Sequence, residues 1–376
     1  MIPDYPVEKL DIKLAVEPDD LETRAAIARL GPVPGLTVIV APAYGPRTKP
    51  KALNAALTFA RGSFTVIYDA EDRPEPGQLR AALDAFRGHG GEVACAQASL
   101  CIDNLSDSWL ARMFSAEYAG QFDVFLPGFA ALGLPLPLGG SSNHFRTAVL
   151  REVMGWDAYN VTEDADLGVR LARFGYRSVT FASTTYEEAP ALLGAWLKQR
   201  TRWMKGWMQT WAVHMRSPRR LWRDLGARGF LALNAAIGGN VLTALIHPFF
   251  VAGLIIGIAT HEPGPGPGGL LLQGAFSWLH ETAIASGYLV TAMICGVGLA
   301  RRGQTHSLWV LALIPVYWLL LSAAAWRALH QMMTAPYRWE KTTHGLARSS
   351  HFIGGEARGA VTDGGAARRP PRRAVA

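Results

Sequence analysis

Three short stretches of this chain carry side chains that could do chemistry together. Y-D-A-E-D sets Asp69, Glu71 and Asp72 just after an apolar run. Side chains two apart at a strand end point to one side, so Asp69 and Glu71 can share a hard divalent cation, Mg2+ or Mn2+, with Asp72 as a further ligand. T-E-D puts Asp164 at the start of a helical pattern, where the helix dipole keeps a carboxylate ionised and fixes its direction, as a general base requires. Q-R-T-R-W spaces Gln199, Arg202 and Trp203 at i, i+3 and i+4 on one helical face. A ring beside a guanidinium can stack on a pyranose while the guanidinium meets a diphosphate. Taken singly, each has a plainer reading: a solvated acidic turn, a helix cap, a basic helix lying on lipid. Together they meet the needs of moving a sugar off a nucleoside diphosphate, namely a cation for the leaving group, a base for the acceptor hydroxyl and a surface for the acceptor.

Residues 12–99 must position the acids. Apolar runs at 12–18, 36–43, 64–70 and 92–99 alternate with helical stretches, the signature of a mostly parallel sheet with crossover helices. In open α/β sheets ligands lie beyond the carboxyl ends of the strands. Acids stand at two of those ends: Asp19 and Asp20 after the first run, and Asp69, Glu71 and Asp72 after the third. Residues 100–160 are rich in Gly and Pro and show no clear pattern of elements. After them come the acid-opened helix that Gly175 ends and a strand, R-S-V-T-F-A-S.

Apolar residues make up 49% of the chain and charged ones 18%, which points to segments that meet lipid. The excess concentrates at about 230–260, 281–300 and 307–326, each near the roughly 20 residues that a bilayer crossing needs. Between Lys198 and Arg228 stand nine Lys or Arg against one acid, Asp224, the pattern of a cytoplasmic membrane face. The net charge of +7 is therefore assigned to a lipid surface, and nucleic acid is not expected as a partner. Cys95, Cys101 and Cys295 have no metal spacing and read as reduced and structural. The start, M-I-P-D-Y-P-V-E-K-L, has no signal-peptide pattern. These features predict a multi-pass protein of the cell inner membrane with a cytoplasmic catalytic domain at 1–228, transmembrane or interfacial helices at 229–345 and a disordered basic tail at 346–376. Three full crossings would leave that basic tail outside, against the preference of positive residues for the inside. One segment should therefore be re-entrant or interfacial: the last, with Pro315 and the amphipathic A-A-W-R-A-L-H-Q-M-M after it, or the first, with Pro248.

Acid-rich strand ends, then T-E-D, then Q-x-x-R-W, then membrane spans, form a joint pattern. With K-P-K-A-L-N-A-A-L, G-G-S-S-N-H-F-R and T-E-D-A-D-L-G-V-R-L, it resembles the processive family 2 glycosyltransferases, the group of bacterial cellulose and curdlan synthases, over roughly residues 10–345. The resemblance implies a GT-A-like domain followed by a helical transmembrane region. It implies an inverting hexosyltransferase that passes a sugar from a nucleotide-sugar to a growing β-linked polysaccharide, UDP-glucose and a β-glucan being that family's commonest choice. Position by position, it implies that Asp19 or Asp20 and Lys51 lie near the nucleotide, that Asp69 and Glu71 are the metal pair, and that Asp164 is the base. It likewise implies that Gln199, Arg202 and Trp203 hold the acceptor and diphosphate. That family usually has Asp at the second metal position, so the choice between Glu71 and Asp72 stays open. Y-R-W-E-K-T-T-H-G-L resembles a gating loop, with Trp339, Lys341 and Thr342 at its reactive part. The family's domain begins with a further strand, usually preceded by membrane helices, and the first residues here match the part of the domain beyond both, so 1–228 reads as N-terminally incomplete. Two other readings are a non-processive lipid-linked sugar transferase, which commonly lacks Q-x-x-R-W, and an inactive truncated membrane subunit.

Overall fold

The computed structural model describes residues 4–260, 270–336, 340 and 347–349. Strands β1 (Ile12–Val16) and β2 (Leu36–Val40) pair in parallel through the crossover helix α1 (Leu21–Arg29), and α2 (Lys49–Leu57) packs on them. They form a sheet of their own. The larger sheet has the order β3-β6-β5-β7-β4, from β3 (Phe64–Ile67), β4 (Arg73–Pro74), β5 (Val93–Ile102), β6 (Asn143–Arg146) and β7 (Arg177–Glu187). Only β5 and β7 run parallel within it; β6 is antiparallel to β3 and β5, and β4 to β7. The expected α/β sheet with crossover helices is thus mixed rather than mostly parallel. The antiparallel β6 comes from the Gly- and Pro-rich region without a legible pattern, after a turn that Ser142 makes at φ 57.

β5 shows why the core sits where it does. Val93–Ala98 are all within 1% exposure, because neighbours on both edges and helices on both faces leave a central strand no solvent side. α3 (Gln78–His89) covers one face with Phe86 against Val93, Ala96 and Val179. α4 (Trp109–Gly120) covers the other, where Phe114 joins Cys95, Leu100 and Ile102 in the main core. A π-helical stretch, Gln121–Phe125, carries α4 into α5 (Leu126–Ala131), and α6 (Thr147–Glu152) and α7 (Glu163–Arg173) precede β7. The three cysteines are unbonded and buried, as expected.

After β7 come α8 (Leu193–His214), α9 (Pro218–Leu233), α10 (Asn240–Thr260), α11 (Leu270–Arg301) and α12 (Ile314–Thr334). Among the described residues three stretches, Pro218–Ile256, Glu281–Arg301 and Thr305–Thr334, are long and apolar enough to cross a membrane. Gly226, at φ 66, separates the basic start of the first from its apolar remainder. The end of α11 is tied to the π-helical stretch after α4: Arg302 Nε donates to Asp123 at 2.6 Å. A Cβ on Gly298 would come within 2.3 Å of the Ala119 backbone, so glycine sets that close approach. α12 lies along α8 from one end to the other. The Trp196 and Tyr317 rings meet at 5.3 Å, Met204 and Met208 pack with Ala325 and Ala328, and Gln209 donates to the Pro336 carbonyl at 3.1 Å. Contacts at both ends of α12 thus reach α8.

Candidate active site

The turn after β3 is braced from within. Asp72 Oδ2 accepts the Asp69 amide N–H at 2.6 Å and the Ser141 hydroxyl. This leaves the Asp69 carboxylate to ion-pair with Lys49, whose ammonium also donates to the Gly140 carbonyl at 2.8 Å. Lys51, two residues on and so about 200° round the helix, points to the other sheet, where it meets Glu17 at 3.2 Å and the Pro42 carbonyl at 2.9 Å.

A pocket of about 300 Å³ brings together Asp69, Glu71, Asp72, Asp164, Gln199, Arg202 and Trp203, seven of the residues singled out from the sequence. It does not include Asp19, Asp20 or Lys51. Asp19 pairs with Arg47 at the surface, and Asp20 caps α1 by accepting from the Thr23 amide at 3.0 Å. The expected gating residues Trp339, Lys341 and Thr342 lie outside the described residues. Sequence reasoning passed over Lys49, Glu163, Glu187 and Glu188, which also line the pocket. The signals were present as a second lysine in K-P-K, the acid beside Asp164, and an acid pair at the end of the β7 run.

Seven carboxylates thus face two cations, Lys49 and Arg202. Burial, then the charge of Asp69, pushes the Asp72 carboxyl up to about 7. Burial, then Asp164, pushes Glu163 up to about 7. Glu187 stands well above the carboxylate range through burial and then the charges of Asp72, Asp69 and Glu71. Asp164 is raised as well, chiefly by burial, so the dipole expected to keep it ionised at the helix start does not outweigh desolvation. A carboxyl raised toward neutrality suits a general base. Burial alone would lower the Lys49 ammonium, but the Asp69 and Glu163 carboxylates outweigh it and raise its pKa.

Among the described residues no three His, Cys, Asp or Glu side chains are already arranged around a metal position. The donor set nevertheless fits a hard cation: it is carboxylate oxygen throughout, and the raised acids mark a field short of positive charge. Asp72 is engaged within the turn, where it accepts from the Asp69 amide and the Ser141 hydroxyl.

On α8, Gln199 is 6% exposed and its Oε1 has no hydrogen-bond partner among the described residues, an acceptor ready for a ligand hydroxyl. Trp203 is held by an edge-on Phe114 ring at 5.6 Å, a near-parallel Tyr118 ring at 6.4 Å and the Arg200 guanidinium at 4.6 Å. Arg200 in turn makes a two-pronged pair with Glu117 at 2.6 and 2.8 Å. Asp164, Gly140, Tyr118 and Trp203 also line a second, larger cavity of about 870 Å³, walled by α8, α10, α11 and α12 and running past Trp207, His247, Tyr317 and Trp318.

Residues 64–330 match the family described as Glycosyl transferase family group 2. The probable glycosyltransferase YdaM of Bacillus subtilis (strain 168) is 25% identical over 183 residues, 45% of this chain and 40% of that protein. Glucomannan 4-beta-mannosyltransferase 2 of Arabidopsis thaliana is 28% identical over 144 residues, 38% of this chain and 27% of that protein. The chain thus spans well under half the length of these relatives. A solved structure, the mannosyltransferase PcManGT from Pyrobaculum calidifontis in complex with GDP-Man and Mn2+, superposes with a TM-score of 0.51 at 18% identity, covering 88% of this chain and 80% of that one. That likeness carries the fold, which is GT-A-like. Since the family match takes in most of the chain, from β3 to the far part of α12, this protein belongs to glycosyl transferase family group 2.

Proposed function

We propose that the chain transfers a hexosyl unit from a nucleoside diphosphate sugar, with inversion, to the end of a β-linked polysaccharide. The observation that carries this reading is the place of Asp164, where an acid-lined pocket meets an aromatic cavity walled by apolar helices. Donor and acceptor then approach from opposite sides, as a single displacement at the anomeric carbon requires. Asp164 takes the proton of the attacking hydroxyl. Gln199 Oε1 accepts from an acceptor hydroxyl, and Arg202 meets the diphosphate. A divalent cation held by Asp69 and Glu71, Mg2+ or Mn2+, would neutralise the leaving diphosphate when bound. Lys49 then keeps its contact with Gly140 and balances the neighbouring acids.

An acceptor made of sugar rings suits the wide cavity, which offers Trp207 and Trp318 as stacking faces. A lipid-linked acceptor is the second reading, favoured by the apolar helices that form the walls. The mannosyl names of the relatives and the GDP-Man complex of the solved neighbour support a mannosyl donor beside the UDP-glucose implied by resemblance. For the membrane we propose two crossings, α10 outward and α11 back, with α12 lying at the interface along α8 and the catalytic domain on the cytoplasmic side of the inner membrane. The test is radiolabelled transfer from UDP-glucose and GDP-mannose in membranes, with and without Mn2+, followed by linkage analysis. Label in a polymer of one sugar supports the reading; label confined to a chloroform-soluble lipid would overturn the polymer acceptor.

A further inference from the structure

Asp166 stands two residues after Asp164 and lines neither cavity. Its carboxylate, on a residue 2% exposed, accepts from Arg170 Nε at 2.7 Å and from His214 Nε2 at 3.0 Å. On the far side of the imidazole, an Arg173 nitrogen lies 3.1 Å from His214 Nδ1. The rest of that guanidinium grips Asp224 at 2.9 and 3.1 Å. A guanidinium donates and cannot accept, so Nδ1 carries the lone pair and Nε2 the hydrogen. His214 is therefore the neutral Nε2–H tautomer, joining α7 to the end of α8, while Arg173 carries the row on to α9.

The row ends a stripe on α8. Trp203, Gly206, Thr210 and His214 succeed one another at spacings of three and four, one face of a helix. Along it the segment leading into α7 comes close: a Cβ on Gly206 would lie 2.3 Å from Thr162 Oγ1, and Asn160 donates to Thr210 at 2.8 Å. The face that presents Trp203 to the acceptor is thus the face that seats the base helix.

We propose that His214 is a positioning residue, whose neutral imidazole holds the start of α7, and Asp164 with it, in register against the acceptor face of α8. This rests on the reading of Asp164 as the base. Removing the imidazole orphans no charge, because Asp166 keeps Arg170 and Arg173 keeps Asp224. What is lost is the link between helices, and misplacing a reacting group by about 1 Å can cost on the order of a hundredfold.

The experiment uses the full chain in lipid nanodiscs with Mn2+ and compares wild type with His214→Gln, which donates to Asp166 and accepts from Arg173 as the imidazole does, and with His214→Leu, which fills the space and does neither. His214→Leu should lower kcat about 10- to 100-fold while donor KM and nucleotide affinity stay within about twofold, and His214→Gln should recover most of the rate. Amide exchange over residues 160–167 reads the same register without turnover, rising about tenfold in the Leu variant and not in the Gln variant. Equal rates and equal exchange in the Leu and Gln variants would overturn the proposal. A wild-type chain without transfer, but with this exchange pattern, would refute the reading of the reaction and leave the positioning role standing. Should His214→Leu fail to fold, His214→Phe, which fills the space and neither donates nor accepts, decides beside His214→Gln: the proposal requires slowed transfer and faster exchange in His214→Phe alone.

Discussion

Asp19 and Asp69 each stand two or three residues beyond the carboxyl end of a strand, in β1 and β3 respectively, yet their surroundings differ. Asp19 is 56% exposed and meets an arginine that is 63% exposed, a pair of the kind worth roughly 0.2–1 kcal/mol. Around it the small sheet is thinly covered: Ile12, Val38 and Val40 are each over 40% exposed. Asp69 sits above a strand layer in which β5 is sealed, among six other carboxylates and two cations. An acid at a strand end becomes chemically useful through the company that the fold gathers round it, because desolvation and like charge, absent at the surface, raise its neighbours toward neutrality.

The deepest cut into the pocket side of this contrast is Asp164→Asn, which keeps shape and removes basicity. Transfer should fall about 100- to 10,000-fold with donor affinity within twofold, measured by radiolabel incorporation and nucleotide titration. Loss of nucleotide binding instead would move Asp164 to the donor side. Next comes Asp69→Ala, which should abolish the metal-dependent part of nucleotide-sugar binding; calorimetric curves with Mn2+ that match wild type would remove Asp69 from the metal pair.

The raised carboxyls give a third test with opposite signs for rate and stability. Protonated Asp164 cannot act as a base, and burial raises its carboxyl, so transfer should drop as the pH is lowered. Glu163 beside it is pushed up to about 7. Folding binds protons at a group whose pKa is raised, so its stabilising contribution is present at low pH and lost as pH rises through about 7. The metal-free chain should therefore melt lower at pH 8 than at pH 6 while turning over faster with metal. Parallel pH profiles for rate and melting temperature would break the link between burial and basicity.

Smaller effects are expected at the edges of the comparison. Trp203→Ala should slow polymer extension more than donor hydrolysis, since the ring borders both cavities; equal losses would reduce Trp203 to packing against Phe114, Tyr118 and Arg200. Asp19→Ala should change donor KM less than about twofold, as befits an exposed pair. A tenfold rise in donor KM would bring the small sheet into the nucleotide site and end the contrast.

The motifs were legible because each is local. Asp69, Glu71 and Asp72 share one turn, Asp164 opens one helix, and Gln199, Arg202 and Trp203 share one helical face; period and spacing alone place such groups. The apolar helices were legible because twenty apolar residues in a row need no partner to be noticed. Local signals cannot report which way a side chain faces another element. K-P-K holds two lysines in one helical turn, and only packing sends Lys49 to Asp69 and Lys51 to Glu17. Glu187 joins the acids only because β7 pairs beside β5 and ends over the same pocket. The antiparallel β6 and the course of α12 along α8 arise from contacts between residues distant in the chain, the latter from residues more than a hundred apart. Charge, periodicity and spacing were thus set by the order of the residues, whereas burial, and with it the ionisation of the acids and the tautomer of His214, was decided by tertiary packing, because desolvation depends on neighbours that no stretch of sequence contains.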